Sequence, residues 1–492
     1  MDISKHGLTT RAADFATWYQ DVIEAADLAE HGDVKGTMVI KPYGYAIWER
    51  IQSILDKKIK ETGHQNAYFP LFIPKSFFAK EAEHVEGFAK EMAVVTHHRL
   101  KQDAEKGLVV DPEARLTEEI IVRPTSETVI HTAFARWIKS WRDLPVLINQ
   151  WANVVRMELR PRMFLRTTEF LWQEGHTAHA TEIEAEEEAK KMLAVYKDLA
   201  QNFFAMAVID GQKTESEKFP GALRSYTIEA MMQDGKALQT GTSHNLGQNF
   251  AKAFDVTFLD QKNEIQHTWM TSWGVSTRLI GGLIMSHSDD KGLVLPPNLA
   301  PTQVVIIPIW KTEDQEVLVQ KAVDELQNKL EIKEIRVMAD RRKHLTLGER
   351  MYEWEKKGIP VTIQVGPRDI EQQTMVAIRR DTGEKQIMSL DKDTEAIKEM
   401  LSDIQVKLFE KSEKQLAHRT YKPDDYQNFQ AVIDDGGFFD VSWCGDAVCE
   451  TQIKEETKAT IRCIPFNQPT VLSPCFKCGK EGIHQVILAR AY

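Results

Sequence analysis

Several features that would place this chain of 492 residues in a class are missing from its sequence. It has no apolar run of the roughly 20 residues that a membrane-spanning helix needs. Its first residues, MDISKHGLTTRAADF, contain neither the apolar segment of a secretion signal nor the Arg-rich, acid-free composition of a transit peptide. We therefore expect a cytoplasmic protein with no membrane partner.

An excess of positive charge is also missing, since the formal net charge is −11. This balance argues against indiscriminate binding of nucleic acid, although recognition depends on local patches rather than on the sum. Residues 341–344, Arg-Arg-Lys-His, and the pair Arg379 and Arg380 are candidate patches. The GxxxxGK[ST] loop of the P-loop enzymes is absent from the sequence.

Cysteine is scarce, and all five cysteines lie from residue 444 onward. Cys444 and Cys449 form a C-x4-C pair, Cys475 and Cys478 form a C-x2-C pair, and Cys463 lies between them. Two short pairs can supply the four thiolates of a tetrahedral Zn²⁺ site, which would be structural because no coordination position stays open. Two disulfides or inert buried thiols are the alternatives, and the first is disfavoured in a cytosolic chain.

The length predicts two or three domains, and the residue pattern divides the chain into three blocks. The first block is 1–297 and ends in the proline-rich stretch LVLPPNLAPTQ. In the second block, 298–405, the strand-like runs VVIIPI, IRVMAD, PVTIQVG and TMVAIRR alternate with helical stretches, which predicts a compact α/β domain. The third block, 406–492, begins with a charged helix and contains the cysteines.

Within the first block, the run VVRMEL predicts a strand that directs Arg156 and Glu158 to the same face. After a basic loop with Pro161, the run TEFLWQEGH predicts a second strand with Phe170, Trp172 and Glu174 at alternate positions. The two strands would form an antiparallel hairpin. The guanidinium of Arg156 can hold a phosphate and a carboxylate together, and the carboxylate of Glu158 can accept a hydrogen bond from an exocyclic amine. A solvated surface ion pair is the alternative.

Three other segments of the first block have clear local signals. Residues 41–74 predict a long amphipathic helix followed by a Pro-interrupted strand, and 271–297 predict a strand and then a helix carrying Arg278. The sequence RPTSE precedes another amphipathic helix, so its Ser and Thr also fit a simple helix start. Thr181 and Glu184 predict a capping box for a further helix.

These segments together resemble motifs 1, 2 and 3 of the class II aminoacyl-tRNA synthetases. The wording of RPTSE, EFLWQEGHTAH, GTSHNLGQNF, TSWGVSTR and VGPRD is most similar to the prolyl-tRNA synthetase family. The resemblance implies an α/β (α+β) protein: an antiparallel-sheet catalytic domain at 1–297, an α/β anticodon-binding domain at 298–405 and a small α+β zinc-binding domain at 406–492. It fits the archaeal/eukaryotic-like type, because only about a hundred residues separate Glu174 from Thr271, too few for the inserted editing domain of many bacterial members.

The resemblance also implies roles for individual residues. The catalytic residues would be Arg156 and Arg278. The amino acid would be bound by Thr125, Ser126, Glu127, Arg156 and His244. ATP would be bound by Arg156, Glu158, Arg166, Thr167, Gln239, Thr242, Ser276 and Arg278. Gln239 would be a Mg²⁺ ligand, and Cys444, Cys449, Cys475 and Cys478 would bind zinc.

By the same resemblance, the substrates would be L-proline, ATP and tRNA(Pro), and the chain would form a homodimer through the helix and strand of 41–74. An ordinary core helix explains the periodicity of that segment equally well. A lone histidine such as His244 is more often a core residue, but its place in LQTGTSHNLGQ favours the binding role. The alternatives are a threonyl- or glycyl-type enzyme, or a non-catalytic tRNA-binding relative. A class I synthetase is disfavoured because no HIGH-like signature is present.

Overall fold

The computed structural model describes residues 7–78 and 91–492, and its strands belong to one large sheet and several small ones. The described strands are β1 Ala29–His31, β2 Met38–Ile40, β3 Gln65–Asn66, β4 Phe72–Pro74, β5 Ala93–His97, β6 Leu100–Asp103, β7 Gly107–Val110, β8 Arg115–Val122, β9 Val146–Val155, β10 Glu169–His179, β11 Val208–Gln212, β12 Arg224–Met231, β13 Ala237–Gly247, β14 Thr257–Leu259, β15 Ile265–His267, β16 Trp269–Ser276, β17 Val304–Pro308, β18 Val337–Ala339, β19 Val361–Val365, β20 Thr374–Arg379, β21 Lys385–Ser389, β22 Thr420–Tyr421, β23 Phe438–Trp443, β24 Thr460–Pro465 and β25 His484–Ala489.

The helices surround these sheets. The described α-helices are α1 Phe15–Ala25, α2 Pro42–Glu61, α3 Lys75–Phe78, α4 Glu127–Trp137, α5 Glu182–Asp198, α6 Asn249–Ala253, α7 Arg278–His287, α8 Glu313–Ile332, α9 Leu347–Lys356, α10 Pro367–Glu371, α11 Thr394–His418, α12 Tyr426–Val432 and α13 Ala447–Thr457. In the part of the chain that the structure describes, no helix has the length and apolar character needed to cross a bilayer.

The large sheet has eleven strands in the order β22-β23-β25-β24-β11-β12-β13-β16-β10-β9-β3. Its six central neighbours, β11 to β9 in that order, pair antiparallel throughout. This confirms the antiparallel sheet expected for the first block. The C-terminal strands join it because β24 pairs with β11, with Gly211 opposite Pro465 and Gln212 opposite Ile464. Residues far apart in the sequence thus share one sheet.

The predicted hairpin is present, but its first strand is shorter than expected. Strands β9 and β10 pair antiparallel from Val155 opposite Glu169 to Val146 opposite Ala178. The prediction that Arg156 and Glu158 lie on the strand is wrong. Arg156 N–H still donates to Thr168 O at 2.7 Å, but the next amide, of Met157, donates to Glu91 O at 2.8 Å, so the chain leaves the hairpin there.

The helix of the first motif is present as α2, and its apolar face packs inside the chain's own core. Ile47, Trp48, Ile51 and Leu55 are buried among residues of α1, α5 and α7. Thr62 is its C-cap, and Gly63 follows with φ +92°, a conformation that glycine adopts without a Cβ clash. The periodicity of this helix is therefore explained by core packing alone.

The second block contains the predicted α/β arrangement. Its five-stranded sheet has the order β18-β17-β19-β20-β21, with parallel pairs at β17 and antiparallel pairs at β20. Arg379 and Arg380 were expected to form a basic surface patch, and this is wrong. Both are buried: Arg379 pairs with Asp381 and Asp403, while Arg380 makes two bonds of 2.7 and 2.8 Å to Asp289.

Candidate active site

Two adjoining cavities open on one face of the antiparallel sheet. The larger, which we call the main cavity, has a volume of about 330 Å³. It is lined by Thr125, Glu127, Arg156, Phe170, Trp172, Glu174, His176, Lys213, Glu217, Lys218, Phe219, Pro220, Ser225, Gln239, Thr242, His244, Ser272, Trp273, Gly274, Val275, Ser276 and Arg278. The second, which we call the side cavity, measures about 210 Å³ and is lined by Glu91, Arg156, Glu158, Phe164, Leu165, Arg166, Thr167, Phe170, Ser276 and Arg278.

Both predicted catalytic arginines lie where the two cavities meet. Arg156 follows β9, donates through Nε to Pro124 O at 2.9 Å and lies over the rings of Phe170 and Trp172 at 5.5 and 5.7 Å. Arg278 begins α7 and donates through Nε to Leu165 O at 3.2 Å. Both arginines line the main cavity and the side cavity, so their charges act on the space that an anion would occupy.

Burial lowers the pKa of both arginines. For Arg278 the pKa falls to about 10, first through burial and then through the positive charges of Arg156 and Arg166. For Arg156 burial again lowers the pKa, while the charges of Glu127 and two other carboxylates raise it. Mutual repulsion of cations in an enclosed space favours the binding of anions, whose charge would relieve it.

The RPTSE segment occupies the start of α4, and its side chains have different roles. The Thr125 hydroxyl donates to Glu127, and both residues line the main cavity. Ser126 does not line it: this residue is fully buried, and its hydroxyl donates to Glu174 at 2.5 Å. Ser126 holds the N-cap position without a side-chain capping bond, so the simple helix-start explanation of its hydroxyl is wrong.

The predicted site left out several residues of the quoted motifs that line the main cavity, among them two with titratable side chains. Glu174 and His176 follow Trp172 at alternate positions of β10, and a period of two could have identified both. Burial raises the pKa of Glu174. Burial lowers the pKa of His176, but Glu127, whose carboxylate lies 3.5 Å from Nε2, and the charge of Glu174 outweigh it and raise the pKa overall.

His244 lies on β13 and faces the main cavity rather than the core. Its ring stacks on Phe219 with centroids 4.7 Å apart, and Nδ1 shares a hydrogen bond of 2.8 Å with the Ser225 hydroxyl. Burial is the main reason that its pKa falls to about 4, so the ring is neutral at neutral pH. A neutral imidazole between an aromatic ring and a hydroxyl offers a shaped, uncharged wall.

The structure also brings together the other predicted nucleotide ligands. Gln239 and Thr242 lie on β13 and line the main cavity, while Glu158, Arg166 and Thr167 line the side cavity. Ser276 lines both cavities. Its hydroxyl accepts from Arg278 N–H at 3.2 Å, as expected at a helix start.

Far from these cavities in sequence, four cysteines form what we call the thiol cluster. The sulfurs of Cys444, Cys449, Cys475 and Cys478 all lie within 4.8 Å of one another. The Cys449–Cys475 and Cys444–Cys478 separations are 3.8 and 3.6 Å. Sulfurs about 2.3 Å from a tetrahedral zinc ion lie about 3.8 Å apart, so the spacing and the thiol donors fit zinc. Cys463 is buried elsewhere, among residues such as Met231 and Phe438.

Comparison with known proteins finds a family model that matches part of each block. Residues 110–287 match the class II core domain of the G, H, P, S and T tRNA synthetases, 303–400 an anticodon-binding domain, and 426–492 the prolyl-tRNA synthetase C-terminal model. Proline–tRNA ligases of Porphyromonas gingivalis W83 and Parabacteroides distasonis are each 56% identical, with 99% of both chains covered. That of Flavobacterium johnsoniae is 54% identical over the same shares. The chain belongs to the prolyl-tRNA synthetase family.

The segment between the second and third motifs of this synthetase-family chain is compact. The residues from Glu174 to Thr271 form the rest of β10, helix α5, the sheet strands β11 to β13, helix α6 and the hairpin of β14 and β15. All of them lie in the described range, and none forms a separate domain. The three bacterial relatives are covered over almost their full length, so they match this compact form.

Proposed function

We propose that this chain activates L-proline with ATP and transfers it to tRNA(Pro). In the first step a carboxylate oxygen of proline attacks the α-phosphorus of ATP, which forms prolyl-adenylate and releases pyrophosphate. In the second step the terminal hydroxyl of the tRNA attacks the prolyl carbonyl carbon and AMP leaves. The observation that carries the proposal is the meeting of the two cavities at Arg156 and Arg278.

The main cavity suits a small cyclic amino acid. The two N–H donors of a secondary ammonium match the Glu127 carboxylate and the Thr125 hydroxyl, which lie together at its wall. Trp172 and Phe219 supply apolar surface for the ring, and neutral His244 adds no charge that would repel the ammonium. Ser126 contributes indirectly, because its hydroxyl donates to Glu174, which lines the same cavity.

The reacting anions would meet at the arginines. Arg156 bridges the proline carboxylate and the α-phosphate, and Arg278 binds the γ-phosphate from the other side. Fixed charges of this kind stabilise the charge that develops in the transition state without reorganising solvent. In the side cavity, Glu158 accepts from the adenine amine, and Arg166 and Thr167 hold the nucleotide.

The family uses ATP with Mg²⁺, and the chain's own residues fit that ion only in part. Gln239 and Thr242 would face it from β13, together with Ser276. A neutral amide is a weak ligand for a hard cation, so phosphate oxygens must supply most of the coordination. The four cysteines of the thiol cluster would hold a structural Zn²⁺. Cys444 lies in the turn before α13, Cys449 in α13, and Cys475 and Cys478 in the loop before β25, so the ion would join these segments.

The three predicted blocks would serve as the domains of this enzyme: 1–297 for catalysis, 298–405 for the anticodon and 406–492 for zinc binding. A homodimer is part of the proposal. Its interface would use exposed apolar residues after α2, namely Tyr68 and Phe72, which are 71% and 50% exposed, because the apolar face of α2 is already buried. Light scattering on the purified chain tests this, with a monomeric mass as the contradicting result.

The decisive test is amino-acid-dependent ATP–pyrophosphate exchange across the twenty amino acids. Proline is expected to stimulate exchange far more than threonine, glycine or serine. Equal stimulation by any of these three would overturn the assignment. Threonine recognition through a catalytic metal is disfavoured, because in the described residues only the thiol cluster has a metal-ligand arrangement, and it lies outside the first block.

A further inference from the structure

A buried ionic cluster lies beside the main cavity and connects it to the C-terminal strands. Its centre is Glu229 on β12, which is fully buried. Lys213 Nζ donates to Glu229 Oε1 at 2.8 Å, and Thr227 Oγ1 donates to the same oxygen at 2.9 Å. Arg462 on β24 donates to Oε2 through Nε and Nη2 at 3.1 and 3.0 Å. We call these four residues the Glu229 cluster.

The Glu229 cluster holds more positive than negative charge. Burial raises the pKa of Glu229, but the charges of Lys213 and Arg462 outweigh it and lower the pKa, so the carboxylate is ionised. Two cations against one anion leave a surplus of one positive charge. An unbalanced charge in the interior is costly unless another anion or a polar ligand compensates it.

Lys213 is the member of the cluster that lines the main cavity. Two of its three N–H donors are used, one by Glu229 and one by the backbone oxygen of Arg462 at 2.8 Å. Within residues 7–78 and 91–492, Lys213 Nζ makes no hydrogen bond with its third N–H donor. A lysine fixed from two sides, with one donor left at a cavity wall, is preorganised for an anion.

The surroundings of the cluster indicate which anion this is. The charges of Glu229 and Arg462 both act on Arg278, and that of Lys213 acts on His244, so the cluster lies within electrostatic range of both residues. Glu229 pairs across the sheet with Gln239, which lines the same cavity. The arginine and the glutamine were assigned above to the phosphates of ATP and their metal ion.

We propose that Lys213 is a further ligand of the ATP polyphosphate, and that Arg462, from the C-terminal strands, is the positioning residue that keeps it available. This inference rests on the proposed function and deepens it. Arg462 binds one oxygen of Glu229 and offers its own backbone oxygen to Lys213. Without the Arg462 side chain, Lys213 and Glu229 would form a neutral pair. Glu229 would then compensate the charge of Lys213, which would attract ATP less strongly.

The test compares ATP and proline kinetics in pyrophosphate exchange. Lys213→Met should lower kcat/KM for ATP by about 10²- to 10³-fold, the usual effect of losing one preorganised charged donor, with the KM for proline unchanged. Arg462→Gln should also lower kcat/KM for ATP, by about 10-fold, and Arg462→Lys should retain part of the activity that Arg462→Gln loses. The double variant Lys213→Met/Arg462→Gln should be no worse than Lys213→Met alone, because Arg462 acts through Lys213.

Matched controls come from the same regions of the chain. Lys197→Met removes a lysine that pairs with Asp210 at 2.8 Å outside both cavities, and Arg490→Gln removes an arginine bound to Thr457 O at 3.0 Å. Both should retain wild-type ATP kinetics. Lys213→Met leaves Glu229 paired with Arg462, so neither of these buried charges loses its partner. Circular dichroism and zinc content verify that each variant folds.

Direct ATP binding, measured by calorimetry without amino acid, separates this inference from the proposed function. If wild-type protein shows no proline-dependent exchange, the proposed function fails, while weakened ATP binding by Lys213→Met still supports the lysine as a ligand. Normal ATP binding and exchange in folded Lys213→Met would overturn the inference. A defect confined to transfer from preformed adenylate would overturn it too, since the ligand would then be a phosphate of the tRNA. An equal rise of the ATP and proline KM in Arg462→Gln would make that arginine merely structural.

Discussion

The guanidinium of Arg156 lies over the face of Trp172, 5.7 Å from the ring centroid. Cation–π attraction holds the guanidinium in place and adds no negative charge that would compensate it. A second ring, Phe170, lies 5.5 Å away. These two aromatic contacts hold a positive charge at the boundary of the two cavities before any substrate binds.

The first prediction follows from this arrangement. Arg156→Ala and Arg278→Ala should each reduce proline-dependent exchange by about 10²- to 10³-fold or more, since each removes a preorganised charge at the reacting phosphates. The matched control is Arg136→Ala, which removes an exposed side chain that donates to Thr132 O at 3.0 Å, and it should leave exchange unchanged. Near-normal exchange in either active-site variant, with the fold intact by circular dichroism, would mean that its arginine is structural.

The second prediction concerns the thiol cluster. Purified protein should contain about one zinc ion per chain, and Cys444→Ser or Cys475→Ser should lose it, because four thiolates are needed to close a tetrahedral site. Cys463→Ser is the control and should keep the metal, since its thiol is buried away from the cluster. Metal analysis that shows zinc loss in Cys463→Ser, or retention in Cys475→Ser, would refute this ligand set.

The third prediction concerns acid stability. Burial is the main cause that lowers the pKa of His179, His244 and His287 to about 4, against an ordinary value of 6.5. The unfolded chain therefore binds more protons than the folded one between these values, so the free energy of unfolding should fall as pH drops from about 6.5 to 4. The limit is about 3 kcal/mol for each histidine. The raised pKa of His176 opposes part of this loss.

Urea unfolding at pH 7, 5.5 and 4.5 measures that dependence. His287 is the residue to replace, because Nε2 only donates to Phe204 O at 2.7 Å, a bond that the amide of His287→Gln can imitate. The variant should lose less stability between pH 7 and 4.5 than the wild type. An unchanged dependence on pH would show that His287 does not titrate in this window.

The fourth prediction concerns errors in amino acid selection. Alanine is smaller than proline, and a missing methylene lowers discrimination by only about 1–3 kcal/mol, so alanine should be activated detectably. The compact segment between Glu174 and Thr271 leaves no separate editing domain in the described chain. Preformed alanyl-tRNA(Pro) should therefore decay at the same rate with and without enzyme. Faster decay in its presence would reveal a hydrolytic site elsewhere in the chain.

Local patterns in the sequence were enough to predict the elements that carry the site. The alternation of Phe170, Trp172 and Glu174 predicted β10, and the capping box of Thr181 and Glu184 predicted the start of α5. Such signals are local because period-two alternation and capping involve residues only a few positions apart. The end of β9 was predicted wrongly, since the Met157 amide bonds outside the hairpin to Glu91.

What the sequence by itself determined is therefore the main helices and strands that carry the site, the motifs and the four candidate zinc ligands. Only the tertiary structure decided that Ser126 supports Glu174 instead of capping its helix, and that Arg379 and Arg380 are buried in ion pairs. It alone places Arg462 next to Glu229, 233 residues earlier in the chain. Such contacts depend on how separate strands pair and on which buried charges need partners, and neither is encoded in the neighbourhood of any one residue.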